Sequence, residues 1–384
     1  MLALPPLYPI TDARAPLSLS EQVARFGEAG FPLVQFRGKP LDVRTQWAEL
    51  RKALAEAAAR GGWPLVVVND RADLALLAAR EGLAPWGLHL GQGDLPPAEA
   101  RRLPGLQDLH LGTSTHAPLE WSAVDPACDH AGVGPFRATA TKGDAAAPVG
   151  LEGLAGGCRA LRAAGIAPVA IGGLTLEDAP DAFRAGAESL AMVGELARAQ
   201  DPAALLREAQ RCRWRTHPLP QGAGVVLVGG SGAGKTALAR ALGQRLGLPA
   251  LDLDQAVEAR GGRSIPELFA AGEAVFRGLE AGCLPPLLAR PAVVALGAGA
   301  WEDAAVRGAV QRSGFRVLWL AERPDVAWAR VGGDPSRPLA RDREGFLARW
   351  RLRMHRWGGL AAVLPLGQDA ATLASQLTAS ASAP

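Results

Sequence analysis

Lysine is scarce in this chain. Of 41 basic residues only four are lysine, at positions 39, 52, 142 and 235, and there is one asparagine, Asn69, and one tyrosine, Tyr8. Such depletion reads as a coding bias that puts arginine wherever either base will serve. A lysine that survives it marks a position needing a compact point charge, because the two bases are not interchangeable at bound phosphates. Cysteine is also sparse: Cys128, Cys158, Cys212 and Cys283 are scattered and form no ligand pair. That excludes a zinc site and fits a reducing, cytoplasmic setting. A net charge of +3 with no basic block argues against a nucleic-acid partner. No run of about 18 apolar residues exists to span a bilayer, and "MLALPPLYPITD" lacks the basic flank of a signal peptide.

What is present is globular: 384 residues, 48% hydrophobic and 21% charged, too long for one ordinary core. Two alternating patterns of short apolar runs and amphipathic stretches divide the chain. The first holds eight candidate strands, "LYPITD", "LVQFR", "PLVVVND", "GLHLG", "LHLGTS", "HAGVG", "PVAIGG" and "SLAMVGE". Eight strands, each followed by a helix pattern, are the count expected of a (β/α)8 TIM barrel. A proline- and glycine-bearing stretch within "RWRTHPLPQGAG" reads as a linker. The second pattern offers "VVLVG", "ALDLD", "AVVALG", "RVLWLAE" and "AAVLPL", which predict a P-loop NTPase-like three-layer α/β/α domain with a parallel sheet. The expected domains are residues 1–213 and 224–384, joined by a linker at 214–223.

In a barrel, chemistry collects at the C-terminal ends of strands. Those positions here are Gln35, Arg37 and Lys39, then Asn69 and Asp70, then His89, Gln92 and Asp94, then Ser114 and His116. Thr139, Thr141 and Lys142 follow the sixth strand, Ile171 to Gly173 end the seventh, and Gly194 follows the eighth. Asp70 and Asp94, on neighbouring strands, suit a hard cation such as Mg²⁺. Arg37, Lys39 and Lys142 would neutralise a diphosphate beside it, and the later loops suit a second phosphate. Taken singly, each of these is a solvated loop charge or a helix cap as readily as a ligand; His116 reads as a cap, and His89, His110 and His130 as core histidines. Their joint placement at one end of one barrel points to a site.

The series "LYPITD", "VQFRGK", "VVVNDRADLA", "GLHLGQGDLP", "LGTSTH", "GVGPFRATATKG" and "PVAIGGL" resembles thiamine phosphate synthase over about residues 5–200. The resemblance implies joining hydroxymethylpyrimidine diphosphate to thiazole phosphate, by ionisation of the diphosphate and capture of the pyrimidine cation by the thiazole nitrogen. It implies Asp70 and Asp94 as Mg²⁺ ligands, and Arg37, Lys39, Asn69, Ser114 and Lys142 around the diphosphate, with Ser114 and Lys142 catalytic. Gln35, His89 and Tyr8 would line the pyrimidine pocket; Thr139, Thr141, Gly173 and the Gly194 region would take the thiazole phosphate. The chain departs from the pattern at "MVGEL", where a small hydroxyl residue is expected.

"GGSGAGKT" (Gly229, Gly230, Ser231, Gly232, Ala233, Gly234, Lys235, Thr236) fits GxxxxGK[ST] between a strand and a helix. Backbone amides would wrap phosphates, Lys235 would reach the outer pair and Thr236 would bind Mg²⁺. Asp252 and Asp254 follow in "LDLD", at the end of the second strand, one expected to face the metal and the other a substrate hydroxyl. With "GRSIPELF", "GEAVFRGLE", "ALGAGA", "RVGGDPSRPLA" and "RWRLRMHRW", this half resembles shikimate kinase over about residues 224–365. The resemblance implies ATP as co-substrate and Asp252 beside the metal. Asp254 would bind the accepting hydroxyls, Arg277 and Arg353 would clamp a carboxylate, and Glu280 would support them. It implies catalytic Lys235, Asp254 and Arg337, Arg337 on a lid, Arg330 near adenine, and Gly297 and Gly299 in the substrate floor. Ala298 stands within a glycine triplet and Trp357 where tyrosine is expected, which leaves the acceptor open between shikimate and another small metabolite, a thiamine precursor included. A nucleotide-sensing module without turnover is the alternative of a different class.

Overall fold

Short runs that are apolar on both faces, such as Leu65–Asn69 "LVVVN", form strands because only a parallel sheet covered on both sides buries them completely. The first eight strands are β1 (Leu7–Pro9), β2 (Leu33–Phe36), β3 (Leu65–Asn69), β4 (Gly87–Leu90), β5 (His110–Thr115), β6 (His130–Val133), β7 (Ala167–Ile171) and β8 (Ser189–Met192). They pair in parallel in the order β1-β8-β7-β6-β5-β4-β3-β2. The ring closes where Ile10 bridges Gln35 and the Thr11 amide donates to the Gln35 carbonyl at 3.0 Å. This computed structural model describes residues 4–138, 146–334 and 337–379, and the chain divides into two units, Met1–Thr216 and His217–Pro384.

Helices of the barrel start where the sequence caps them. Leu19–Glu28 begins at Ser18, whose hydroxyl accepts from the Glu21 amide while Glu21 accepts from the Ser18 amide. Such a cap stabilises by about 1 kcal/mol, and Leu19, Val23 and Phe26 fall on one buried face. The last barrel helix, Pro202–Thr216, runs past the expected boundary, so residues 214–216 are helical and not linker. The reason is packing: Trp214 is buried and the buried Arg213 guanidinium donates to the Leu4 carbonyl. Pro218 then ends the helix, since the residue before a proline is driven out of the helical region.

In the second unit β9 (Val225–Val228), β10 (Ala250–Asp252), β11 (Val293–Ala295), β12 (Arg316–Leu320) and β13 (Ala361–Val363) form one parallel sheet, ordered β10-β11-β9-β12-β13. Strand β9 is central, and its neighbours β11 and β12 lie on opposite sides of it. The connections therefore leave the strand ends in opposite directions there, which is where open α/β sheets bind ligands. No helix among the described residues is long and apolar enough to cross a membrane.

Candidate active sites

At the open ends of β2, β3 and β4 three charged groups meet. Lys39 Nζ lies 2.5 Å from Asp70 Oδ2. Asp70 has a left-handed backbone, φ 63°, uncommon for a residue with a Cβ, and its amide donates 2.7 Å to the His89 carbonyl. Burial would raise both Asp70 and Asp94, yet Lys39 and a hydrogen bond with Asp94 hold Asp70 below the ordinary carboxylate range. Asp94 goes the other way: burial and the facing Asp70 push it up, against a hydrogen bond from the Gly91 amide at 2.7 Å. Two facing carboxylates form an oxygen donor pair suited to Mg²⁺, which keeps waters and substrate oxygens in its other positions. No cluster of three metal-ligating side chains occurs among the described residues. The Arg37 backbone is held by Thr11, whose hydroxyl accepts from the Arg37 amide at 2.8 Å. Asn69 stands in register with His89.

Deeper in the barrel, Gln35 donates 3.3 Å to the hydroxyl of the buried Tyr8. Tyr8 meets His130 edge-on at 5.8 Å across the interior, since their strands are not neighbours. His89 Nε2 lies 3.0 Å from Ser114 Oγ, and its Nδ1 lies 3.4 Å from His130 Nε2. His130 Nδ1 in turn lies 2.9 Å from His110 Nε2. Gln92 donates 2.8 Å to the Ser114 carbonyl. His116 takes Glu120 on its amide at 2.6 Å and on Nδ1 at 3.2 Å, whereas the N-cap of the helix Pro118–Ser122 is Ala117 with no side-chain bond, so His116 is not the cap expected of it.

The loops after β6 and β7 are stitched together. Phe136 and Arg137 amides donate to the Ile171 and Gly172 carbonyls at 2.8 and 2.9 Å, and Arg137 makes a two-point ion pair with Asp178 at 2.5 Å. Gly173 has φ 68°, and a Cβ there would lie 3.0 Å from the Ala138 carbonyl. Gly194 opens the short helix Gly194–Arg198 beside the Arg198 guanidinium. Thr139, Thr141 and Lys142 lie outside the described residues.

In the second unit the glycine loop runs from β9 into the helix Lys235–Leu246, entered through Gly234 at φ 97°. Lys235 Nζ donates to the carbonyls of Gly229 and Gly230, both at 2.9 Å. Desolvation pulls this ammonium down to about 8, with Asp254 opposing the shift. Thr236 Oγ1 donates 2.6 Å to Asp252 Oδ2, so the hydroxyl and carboxylate expected to share a metal are already in contact. Arg330 donates 3.1 Å to the Gly232 carbonyl and pairs with the buried Glu322 at 2.9 Å; Arg337 reaches Ser231 Oγ at 3.4 Å.

Lys235, Thr236, Asp252, Arg330 and Arg337 line a cavity of about 670 Å³, along with Ala298 and the acceptor-side residues. A Cβ on Gly297 would lie 2.6 Å from Asp254 Oδ1 and 2.7 Å from Glu280 Oε1; one on Gly299 would lie 2.6 Å from Arg277 Nη2 and 3.1 Å from Arg353 Nη2. One end of the floor is therefore acidic and the other basic. Arg277 pairs with Glu280 at 2.8 Å, and Arg353 pairs with Glu302. Burial raises Asp254, and Asp252 adds to it; burial also raises Glu280, against Arg277.

Two expectations change. Asp254 is not on a strand: β10 ends at Asp252, which caps the helix Leu253–Gly261 through the Asp254 amide at 3.0 Å, so the two acids part at the entry to a helix. Trp357 is not a lining residue of the cavity; it is buried edge-on against Trp350 at 5.5 Å, one helical heptad further on. The lining also includes Phe269, Phe276, Arg349 and Trp350, which lie inside the quoted motifs but are given no role there, because aromatic and arginine side chains on a helix read equally as core or surface. His110 and His130 are buried in the barrel core, as expected of them.

Known proteins resemble each half separately. The family model for thiamine monophosphate synthase matches residues 7–196, and that for shikimate kinase matches residues 231–356. The thiamine-phosphate synthase of Chloroflexus aurantiacus is 41% identical over 206 residues, covering 53% of this chain and 89% of its own length. That of Laribacter hongkongensis is 39% identical over 196 residues, covering 51% and 86%. A shikimate kinase from Acinetobacter baumannii, solved in complex with shikimate, is 30% identical, with a TM-score of 0.38, and covers 40% of this chain and 90% of that one. The chain belongs to the thiamine-phosphate synthase family through its barrel and carries a domain of the shikimate kinase family after it.

Proposed function

We propose that the chain is a bifunctional enzyme. The barrel condenses hydroxymethylpyrimidine diphosphate with thiazole phosphate to thiamine phosphate and diphosphate; the second unit transfers phosphate from ATP to a hydroxyl of shikimate. The Lys39–Asp70–Asp94 cluster carries the barrel reading, because a cation and a coupled carboxylate pair serve a departing diphosphate better than any structural purpose at an open strand end. Arg37, Lys39, Asn69, Ser114 and Lys142 would hold the diphosphate, and Gln35, Tyr8 and His89 the pyrimidine. Thr139, Thr141, Gly173 and Gly194 would hold the thiazole phosphate. Asp70 with Asp94, and Thr236 with Asp252, would hold Mg²⁺, which when bound neutralises phosphate charge.

The kinase reading is carried by the floor of the cavity. Arg277 and Arg353 converge at Gly299 as a carboxylate clamp, with Asp254 and Glu280 at Gly297 for hydroxyls, and the glycine loop lines the same cavity. Asp254 would take the hydroxyl proton, Lys235 and Arg337 would meet the transferring phosphate, and Arg330 would lie beside the adenine. Ala298, a lining residue that stands between Gly297 and Gly299 in sequence, favours a second reading in which the acceptor is another small hydroxy acid.

Purified protein given Mg²⁺-ATP and shikimate tests the assignment, with ADP release followed and Lys235→Ala as control. A parallel sample receives the pyrimidine diphosphate and thiazole phosphate. Shikimate-dependent turnover lost in the variant supports the kinase reading. ATP binding without turnover refutes shikimate as acceptor and turns the search to other hydroxy acids and thiamine precursors. Absence of thiamine phosphate in the parallel sample refutes the barrel reading.

A further inference from the structure

Three imidazoles cross the barrel core in a line from the substrate end to the opposite end. It runs Ser114 Oγ, His89, His130, His110, with ring contacts of 3.0, 3.4 and 2.9 Å. Beyond it, His110 Nδ1 lies 3.7 Å from Asp129 Oδ2. The register explains how so much ring fits inside. His89 on β4 and His130 on β6 both stand opposite Gly112 on β5. A Cβ on Gly112 would lie 2.1 Å from His130 Cε1 and 2.7 Å from His89 Nδ1. His110 stands opposite another glycine, Gly87, and stacks on Trp86 at 4.2 Å.

Burial keeps His110 down at about 4 and His130 well below the ordinary imidazole range, so both are neutral in neutral solution. A neutral imidazole has one N–H and one bare nitrogen. A line of them is satisfied only when every ring donates in the same direction, so it has two arrangements. Asp129 selects between them. Its Oδ2 already accepts from Arg101 at 2.6 Å and from the Leu111 amide at 2.8 Å, and it faces His110 Nδ1. A bare nitrogen there would set one lone pair against another, whereas an N–H is attracted to the carboxylate.

We propose that Asp129, His110 and His130 are positioning residues that hold His89 protonated at Nδ1, so that Ser114 gives its proton to His89 Nε2 and meets the substrate as a hydrogen-bond acceptor. The proposal rests on the barrel reading above and changes one part of it. An ionised diphosphate offers only acceptors, so Ser114 in this state suits an N–H of the heteroaromatic substrate instead. The opposite arrangement would free the Ser114 proton for a phosphate oxygen.

The test is the tautomer of each histidine in the full chain without substrate, read from long-range proton–nitrogen NMR correlations. The chain has six histidines, each assigned by single replacement. The expected result is protonation at Nδ1 for His89, His130 and His110. His110→Phe keeps a ring against Trp86 but removes the acceptor of His130, so His130 and His89 should both move to Nε2–H. The synthase kcat should fall about tenfold, the effect of one hydrogen bond, with ADP release by the second unit unchanged. His110→Gln places an amide oxygen near the former Nε2 and should restore both tautomer and rate. His89 protonated at Nε2 in the unaltered chain overturns the proposal, as does a His89 tautomer that ignores His110→Phe. Because the spectra need no turnover, they decide the question separately from whether thiamine phosphate is the product.

Discussion

On the proposed reading, the two halves handle phosphate in different physical ways. The kinase half would concentrate its recognition in one contiguous loop, residues 229–236, through backbone amides and a helix start, and Lys235 is already folded onto the loop carbonyls. The barrel assembles its site from side chains on strands far apart in sequence, with Lys39 drawn to Asp70 and Asp70 to Asp94. Backbone recognition tolerates few sequences and is compact; side-chain recognition is spread out and depends on the ring of strands closing. Both halves share one feature: cations sit paired with acids, as Lys39–Asp70, Arg277–Glu280 and Arg330–Glu322 show. A bound phosphate must therefore compete for them.

If the comparison is right, damage to one half should leave the other working. The largest effect expected is Lys235→Ala, which should lower ATP-dependent turnover by about 10³-fold, the scale of losing a preorganised charge at the reacting group. Thiamine phosphate formation in the same preparation should not change; a parallel loss would break the separation. Next comes acid stability of the barrel. His110 is held at about 4 when folded, against an ordinary value near 6.5, so the unfolded chain takes the proton more readily. The stabilisation is complete above about pH 6.5 and is lost as pH falls toward 4, up to about 3 kcal/mol. Urea titrations between those limits should show it, and His110→Phe should flatten the dependence.

Asp70→Asn should reduce the synthase rate by about 10²-fold, as expected where a metal ligand is impaired, and leave ADP release intact. It should also free Asp94 from its facing charge and lower its pKa, measurable by carboxyl-carbon NMR. The smallest effect sharpens the acceptor side. Gly299→Ala puts a methyl 2.6 Å from Arg277 Nη2, so the KM for the acceptor should rise about tenfold while ATP affinity holds. An equal loss of both would mean that the floor supports the nucleotide rather than the acceptor.

Much of this was legible in the sequence because it rests on local chemistry. Short apolar runs announced all thirteen strands among the described residues. The glycine spacing of the phosphate loop carries its own conformation, and the scarcity of lysine marked Lys39 and Lys235 before any contact was known. What misled was also local. Asp252 and Asp254 both read as strand residues until Asp252 turns out to be a helix cap, and "WRT" looks like linker until it is seen in a helix with Trp214 buried. Trp357 stood out as a departure at the substrate site, whereas it belongs to the core against Trp350.

By itself, then, the sequence determined the strand and helix pattern, the phosphate loop and which polar residues end the strands, since periodicity, capping and glycine spacing act over a few residues. Only the tertiary structure decided which of those residues touch. The pairing of β4, β5 and β6 sets His89 and His130 on either side of Gly112, and three histidines from separate strands become one hydrogen-bonded line. Such a contact depends on register across neighbouring strands, and register is settled by closure of the whole barrel.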